Sequence, residues 1–374
     1  MQKIQLSHKQ IAELIATNVH TGISTIVVGE NGVGKTALYS TLRAMPVFTN
    51  HLFAGIVDCQ NLDIGDHQIP VPDFDKAISR NLPNERYGLN AFNHAGIEGA
   101  KPIVTCLDEI GKCPRHVQAS LMPFVYEHRL GQLYAPKGSV IFGTTNLGVE
   151  GLGDAMPAHT RNRVEIVQMR KPAAKEWQAW GAEHGINEYL LAFADQYPQA
   201  FNSFLDYAEA KEPLVKINPY IFDPSTQQEA YFSPRSAERA SRRLNAGLGV
   251  LDDDTMLAGL VGSIGDSAAR DLWALVSLRS EVVRFEEVLA DPEHARMCRN
   301  AIAQIIQVFQ FVTRTENVEH ARAVITYVER MSDESQALFC KTVSDTLTRA
   351  VHFTRVASFS GMLRRHKVSF AGAV

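Results

Sequence analysis

The rhythm of hydrophobic positions changes near residue 172. Before it, short and nearly continuous apolar runs alternate with stretches of helical spacing. Residues 23–28, 53–58, 102–107, 139–146 and 164–167 are β-branched or apolar runs of strand length. Between them, residues 10–19, 36–43 and 115–128 read as helices, the last with Val117, Leu121, Phe124 and Val125 on one face. Apolar strands separated by helices predict a parallel sheet covered on both faces. Residues 60–73 are polar and proline-rich and predict a connection, followed by a short helix over 74–82.

From residue 172 onward helix formers dominate and strand signals vanish. The spacing predicts helices over 173–184, 189–197, 236–244, 271–290, 295–312, 320–331 and 336–356, with a loop rich in Pro, Tyr and Phe over 212–233. Their plain role is a helical core.

Composition narrows the class. A chain of 374 residues suggests two to three domains at about 150 residues each. The net charge of −4 argues against a broad nucleic-acid-binding surface, while leaving room for a local basic groove. No apolar run reaches the roughly 18 residues of a membrane span, and residues 1–7 lack the apolar core of a signal peptide. The expected location is the cytoplasm. The five cysteines are odd in number and form no C-x-x-C pair, which argues against a disulfide framework or a zinc site. Cys59 and Cys106 sit in strand-like runs and read as small core hydrophobes.

One motif fixes a ligand class. Gly29, Glu30, Asn31, Gly32, Val33, Gly34, Lys35 and Thr36 spell G-x-x-x-x-G-K-[ST], the phosphate-binding P-loop, and Ala37 follows in the helix. Glycines let consecutive N–H groups turn toward an anion. Lys35 places a cation at the β/γ-phosphates, and the Thr36 hydroxyl can ligate Mg²⁺. A strand precedes the motif and a helix follows it, as the motif requires.

Other polar residues fall where a phosphate-transfer site would need them. Asp108 ends an apolar strand, where a carboxylate can hold Mg²⁺ through its waters. Glu109 beside it can polarise the attacking water as general base. Asn146 ends the next strand and can orient that water. Arg161 and Arg163 precede the last strand, and one of them, Arg163 by preference, can reach a neighbouring subunit's γ-phosphate. Such arginines contribute on the order of 10³ to 10⁵ in rate in GTPase systems. Arg235 in Ser233-Pro234-Arg235-Ser236 projects from a helix start, where it can close a lid onto bound ATP. Plainer alternatives stay open: solvated carboxylates, a turn cap for Asn146, and surface arginines.

These residues together resemble the AAA+ ATPases, and within them the MoxR-like or dynein-related branch that includes the cobaltochelatase AAA+ subunit. The resemblance spans about residues 20–250. Its most specific stretch runs from Leu107-Asp108-Glu109-Ile110-Gly111-Lys112 through Gln118-Ala119-Ser120-Leu121-Met122 to Glu127, Arg129, Gly131 and the strand ending at Asn146. It implies an α/β AAA+ core over 1–171 with a parallel sheet flanked by helices, an all-α lid over 172–250, and additional C-terminal helices over 251–374. It implies Walker A at Gly29 to Thr36, Walker B at Asp108 and Glu109, sensor 1 at Asn146 and sensor 2 at Arg235. ATP and Mg²⁺ are the implied cofactors. A hexameric ring is the implied assembly, and a protein substrate, such as a von Willebrand factor A-domain protein, the implied partner. An insert typical of the branch maps to residues 62–74. Where the branch usually has Asp-Arg-Phe around its finger, this chain has Asn162-Arg163-Val164.

Three functions follow: a ring-forming ATPase that remodels a protein, a nucleic-acid motor, and an ATP-switched structural assembly protein. Small basic clusters at Arg239, Arg242 and Arg243, and at Arg364, Arg365, His366 and Lys367, are the features that favour the second.

Overall fold

The computed structural model describes residues 4–148, 161–207 and 212–368. The chain divides into two compact units, Met1–Lys171 and Pro172–Val374. The first is an α/β unit built on a six-stranded parallel sheet. Its strands are β1 (Gln5–Leu6), β2 (Thr25–Val28), β3 (Leu52–Asp58), β6 (Ile103–Asp108), β9 (Val140–Thr145) and β10 (Glu165–Met169), in the order β1-β10-β2-β9-β6-β3. The short edge strand β1 carries no periodic signal of its own.

Alternation sorts the strand side chains into two cores. Ile26, Val57, Ile103, Leu107 and Ile141 pack with Val117, Leu121, Phe124 and Val125 of helix α3 (Arg115–Glu127). Val27, Val104, Cys106, Val140 and Phe142 pack on the other face with Ile11 and Ile15 of α1 (His8–Thr21) and Leu38 and Leu42 of α2 (Leu38–Ala44). A strand buried on both faces needs apolar residues at successive positions, which is why these runs are nearly unbroken. Local signals fix α1: Ser7 and Gln10 form a capping box, and Gly22 ends it at φ +67°.

The connection after β3 differs from expectation. In place of a helix over 74–82, β4 (Gln68–Asp73) and β5 (Ile78–Pro83) form an antiparallel hairpin. Pro83 disfavours helix at Leu82 before it. The Asp73 side chain accepts from Lys76 N–H and pairs with Arg80, closing the turn. The stretch 62–74 assigned to an insert thus ends in the first strand of this hairpin. A second small hairpin, β7 (Arg129–Leu130) and β8 (Leu133–Tyr134), turns at Gly131 with φ +60°.

The second unit is helical throughout its described residues, with several boundaries moved by tertiary contacts. The helix expected over 271–290 is broken into Asp266–Val276, a 3₁₀ turn Ser277–Ser280, and Phe285–Ala290. Between them the Gln307 amide accepts from Val283 N–H at 2.7 Å and donates to Val283 O at 3.1 Å, so a side chain satisfies backbone groups a helix would have used. The helix expected from 295 begins at Ala301, where Asn300 caps Ile302 and Ala303. That over 336–356 stops at Ser344, because Glu183 accepts from the N–H groups of Leu347 and Thr348. Asp253–Ile264, unforeseen, is capped by Asp252.

Among the described residues no helix is long and apolar enough to cross a membrane, and no group of three or more His, Cys, Asp or Glu side chains is placed to hold a metal ion. All five cysteines are free and buried.

Candidate nucleotide site

Strand register assembles the site. β9 lies between β2 and β6, pairing Val28 with Thr145 and Leu107 with Gly143. The carboxyl ends of three adjacent strands therefore carry the P-loop, Asn146, and Asp108 with Glu109. The switch in strand order at such ends is where open α/β sheets bind ligands.

The P-loop leaves β2 at Gly29, whose N–H donates to Thr145 O at 3.2 Å. Gly32 and Gly34 adopt φ +76° and +99°, a region costly for any residue with a Cβ. Lys35 is only 6% exposed. Its ammonium donates to Gly29 O and Glu30 O at 2.8 Å each, and to Asn146 Oδ1 at 2.7 Å. Asn146 Nδ2 in turn donates to both carboxylate oxygens of Glu109, each at 3.1 Å. Lys35, Asn146 and Glu109 thus form one continuous run.

A second group adjoins it. Thr36 Oγ1 donates to Asp108 at 3.1 and 3.3 Å. Thr144 Oγ1 donates to Asp108 Oδ1 and accepts from Glu109 N–H at 3.3 Å. The two oxygens of the Thr36–Asp108 pair suit a small hard cation. Hydroxyl and carboxylate donors without sulfur or imidazole fit the same ion.

Glu109 has left-handed backbone, φ +55° and ψ +36°. The turn that follows, Ile110–Lys112, is pinned from both sides. Gln118 of α3 donates to Ile110 O at 3.0 Å, and a Cβ on Gly111 would lie 2.1 Å from Thr145 Oγ1. Sequence reasoning missed Thr144, Gly111 and Lys112. A Thr at the strand end before Asn146 was the available signal, but its pairing with Asp108 depends on register. Glu127, Arg129 and Gly131 close a corner after α3: Arg129 donates to Glu127 Oε2 and Gly131 O, both at 3.0 Å.

Arg161 and Arg163 are exposed, and the Arg163 guanidinium lies 4.7 Å from the Tyr126 ring centroid. Residues 157–160, read together with them, fall outside the described residues. Arg235 is exposed on the first turn of helix Pro234–Gly247 in the second unit, which Ser233 caps. Burial pushes the Cys113 thiol up to about 11 and Cys59 higher still.

No protein-family model matches the chain, and no curated protein matches it in sequence. Solved structures give loose likenesses. A chain from Cytophaga hutchinsonii provisionally assigned as an ATPase is 15% identical with a TM-score of 0.29, covering 44% of this chain and 47% of its own, so this chain spans under half its length. NtrX from Brucella abortus in complex with ATP is 12% identical with a TM-score of 0.38, covering 98% of this chain and 70% of its own. A point mutant of RuvB from Thermotoga maritima is 13% identical with a TM-score of 0.33, covering 76% and 74%. With TM-scores this low, the functional reading rests on the chain's own sheet order and hydrogen bonds.

Proposed function

We propose that this chain is a ring-forming AAA+ ATPase that hydrolyses ATP to ADP and phosphate to remodel or load a protein partner, as a MoxR-like chaperone would. The observation that carries this reading is the run Lys35–Asn146–Glu109 beside the Thr36–Asp108 pair, which brings a phosphate cradle, a cation site and a base to one set of strand ends.

In this reading the loop from Gly29 to Thr36, with Ala37 behind it, cradles the phosphates. Lys35 leaves the carbonyls of Gly29 and Glu30 to pair with them. Thr36 and Asp108 would hold Mg²⁺, which supplies charge neutralisation at the phosphates. Glu109 takes a proton from the attacking water, and Asn146 orients that water. Arg163 or Arg161 reaches a neighbouring subunit's site, where its charge stabilises the transferring group. Arg235 closes from the second unit onto the nucleotide.

The MoxR-like assignment, the hexamer and a von Willebrand factor A-domain partner draw their support from the sequence resemblance over about residues 20–250, most specific from Leu107 to Asn146. A nucleic-acid motor is less well supported. Arg242 pairs with Glu238, which offsets its charge, and Arg239 is tied to Ser263 O. Two measurements test the proposal. Lys35→Ala should lose nucleotide binding in equilibrium titration. The Glu109→Gln variant with ATP and Mg²⁺ should have the mass of a hexamer, and a persistent monomer would contradict the ring.

A further inference from the structure

Lys112 follows Glu109 by one tight turn. Its N–H donates to Glu109 O at 2.9 Å, and its ammonium lies 3.2 Å from Glu109 Oε2. Both side chains are largely shielded, at 17% and 22% exposure, so the pair is screened less than a surface pair. The turn is held in place, because Gly111 sits where any Cβ would collide with Thr145 and Gln118 holds Ile110. Glu109 itself sits in left-handed backbone, an arrangement that persists only where its surroundings impose it.

The Glu109 carboxylate thus has two anchors of different fate. Asn146, the first, is also hydrogen-bonded to Lys35. When Lys35 turns to a phosphate, the Asn146 amide loses that partner and its grip on Glu109 can change. Lys112, the second, lies on the turn after β6 and is independent of Lys35. We infer that Lys112 is a positioning residue for Glu109, holding the carboxylate in place while the Lys35–Asn146 contact is exchanged. This rests on the hydrolase reading of the same site.

The test compares steady-state ATP turnover of the full chain with that of Lys112→Met and Lys112→Arg. Misplacing a base by an ångström can cost up to roughly 100-fold, so Lys112→Met should lower kcat by about 10-fold or more with KM within about twofold. Lys112→Arg, which keeps the charge, should recover most of it. Lys112→Met turnover within twofold of wild type, or a loss confined to KM, would overturn the inference. A thermal-melting cycle on the nucleotide-free chain tests the contact without turnover. The Tm shifts of Lys112→Met and Glu109→Gln should be non-additive in the double variant, and additive shifts would overturn the contact. Wild type that binds ATP without turnover would refute the hydrolase reading, and the melting cycle would still decide whether Lys112 holds Glu109.

Discussion

Thr144 joins the two halves of the site: it donates to Asp108 and accepts from Glu109 N–H. Replacing it with isosteric valine leaves the core volume intact and removes a hydrogen bond from the carboxylate assigned to Mg²⁺. Changes to groups that orient a metal ligand commonly cost about 10- to 100-fold in metal affinity, so Thr144→Val should raise the Mg²⁺ concentration for half-maximal ATP turnover about 10-fold or more. An unchanged Mg²⁺ requirement would separate Thr144 from the cation site. Gly111 makes a sharper steric prediction. With Thr145 Oγ1 2.1 Å and its Cβ 3.1 Å from a new methyl, Gly111→Ala should destabilise by about 1–3 kcal/mol, read from the chemical denaturation midpoint. The P-loop was legible because its residues are contiguous and each has a local reason to be there. Thr144 and Gly111 were not, because their roles arise only when β6 and β9 pair in one register, and Lys112 was not, because its contact with Glu109 needs the left-handed backbone at Glu109.

At the scale of elements, the helices α1 to α3 and the central strands follow from periodicity, caps and burial. Two misreadings, over 271–290 and 336–356, share a cause: side chains distant in sequence satisfy backbone groups that local pattern assigns to a helix. Gln307 is the clearest case, with its amide bonded to both backbone groups of Val283. Leaving a buried backbone group unpaired costs about 1–3 kcal/mol, so Gln307→Leu should lower stability by at least that much. A midpoint unchanged from wild type would show that water or a relaxed chain takes over the role. The β4–β5 hairpin was misread differently. Both of its faces are largely exposed: Ile69, Val71 and Ile78 face solvent, and so do Ser79, Arg80 and Asn81. Reading the apolar positions as a buried face therefore gives no useful guide there.

For the whole molecule, three histidines of the first unit link stability to pH. Burial lowers His8, His67 and His128 below the ordinary value of 6.5. Each is therefore neutral in the folded chain where the unfolded chain begins to take up protons. Stability is full above about 6.5 and falls as pH drops through that value toward the lowered folded pKa values. Denaturation midpoints should thus decrease between about pH 7.5 and 5.5, and a flat profile would show these rings to be solvated.

The central claim is that Glu109 is the base of an ATP-hydrolysing site built on Lys35, Asn146 and Asp108. Phosphate release from ATP and Mg²⁺, measured for wild type and Glu109→Gln alongside nucleotide binding, tests it most directly. The account predicts turnover by wild type and tight nucleotide binding without turnover by Glu109→Gln. Hydrolysis by Glu109→Gln at the wild-type rate would contradict it.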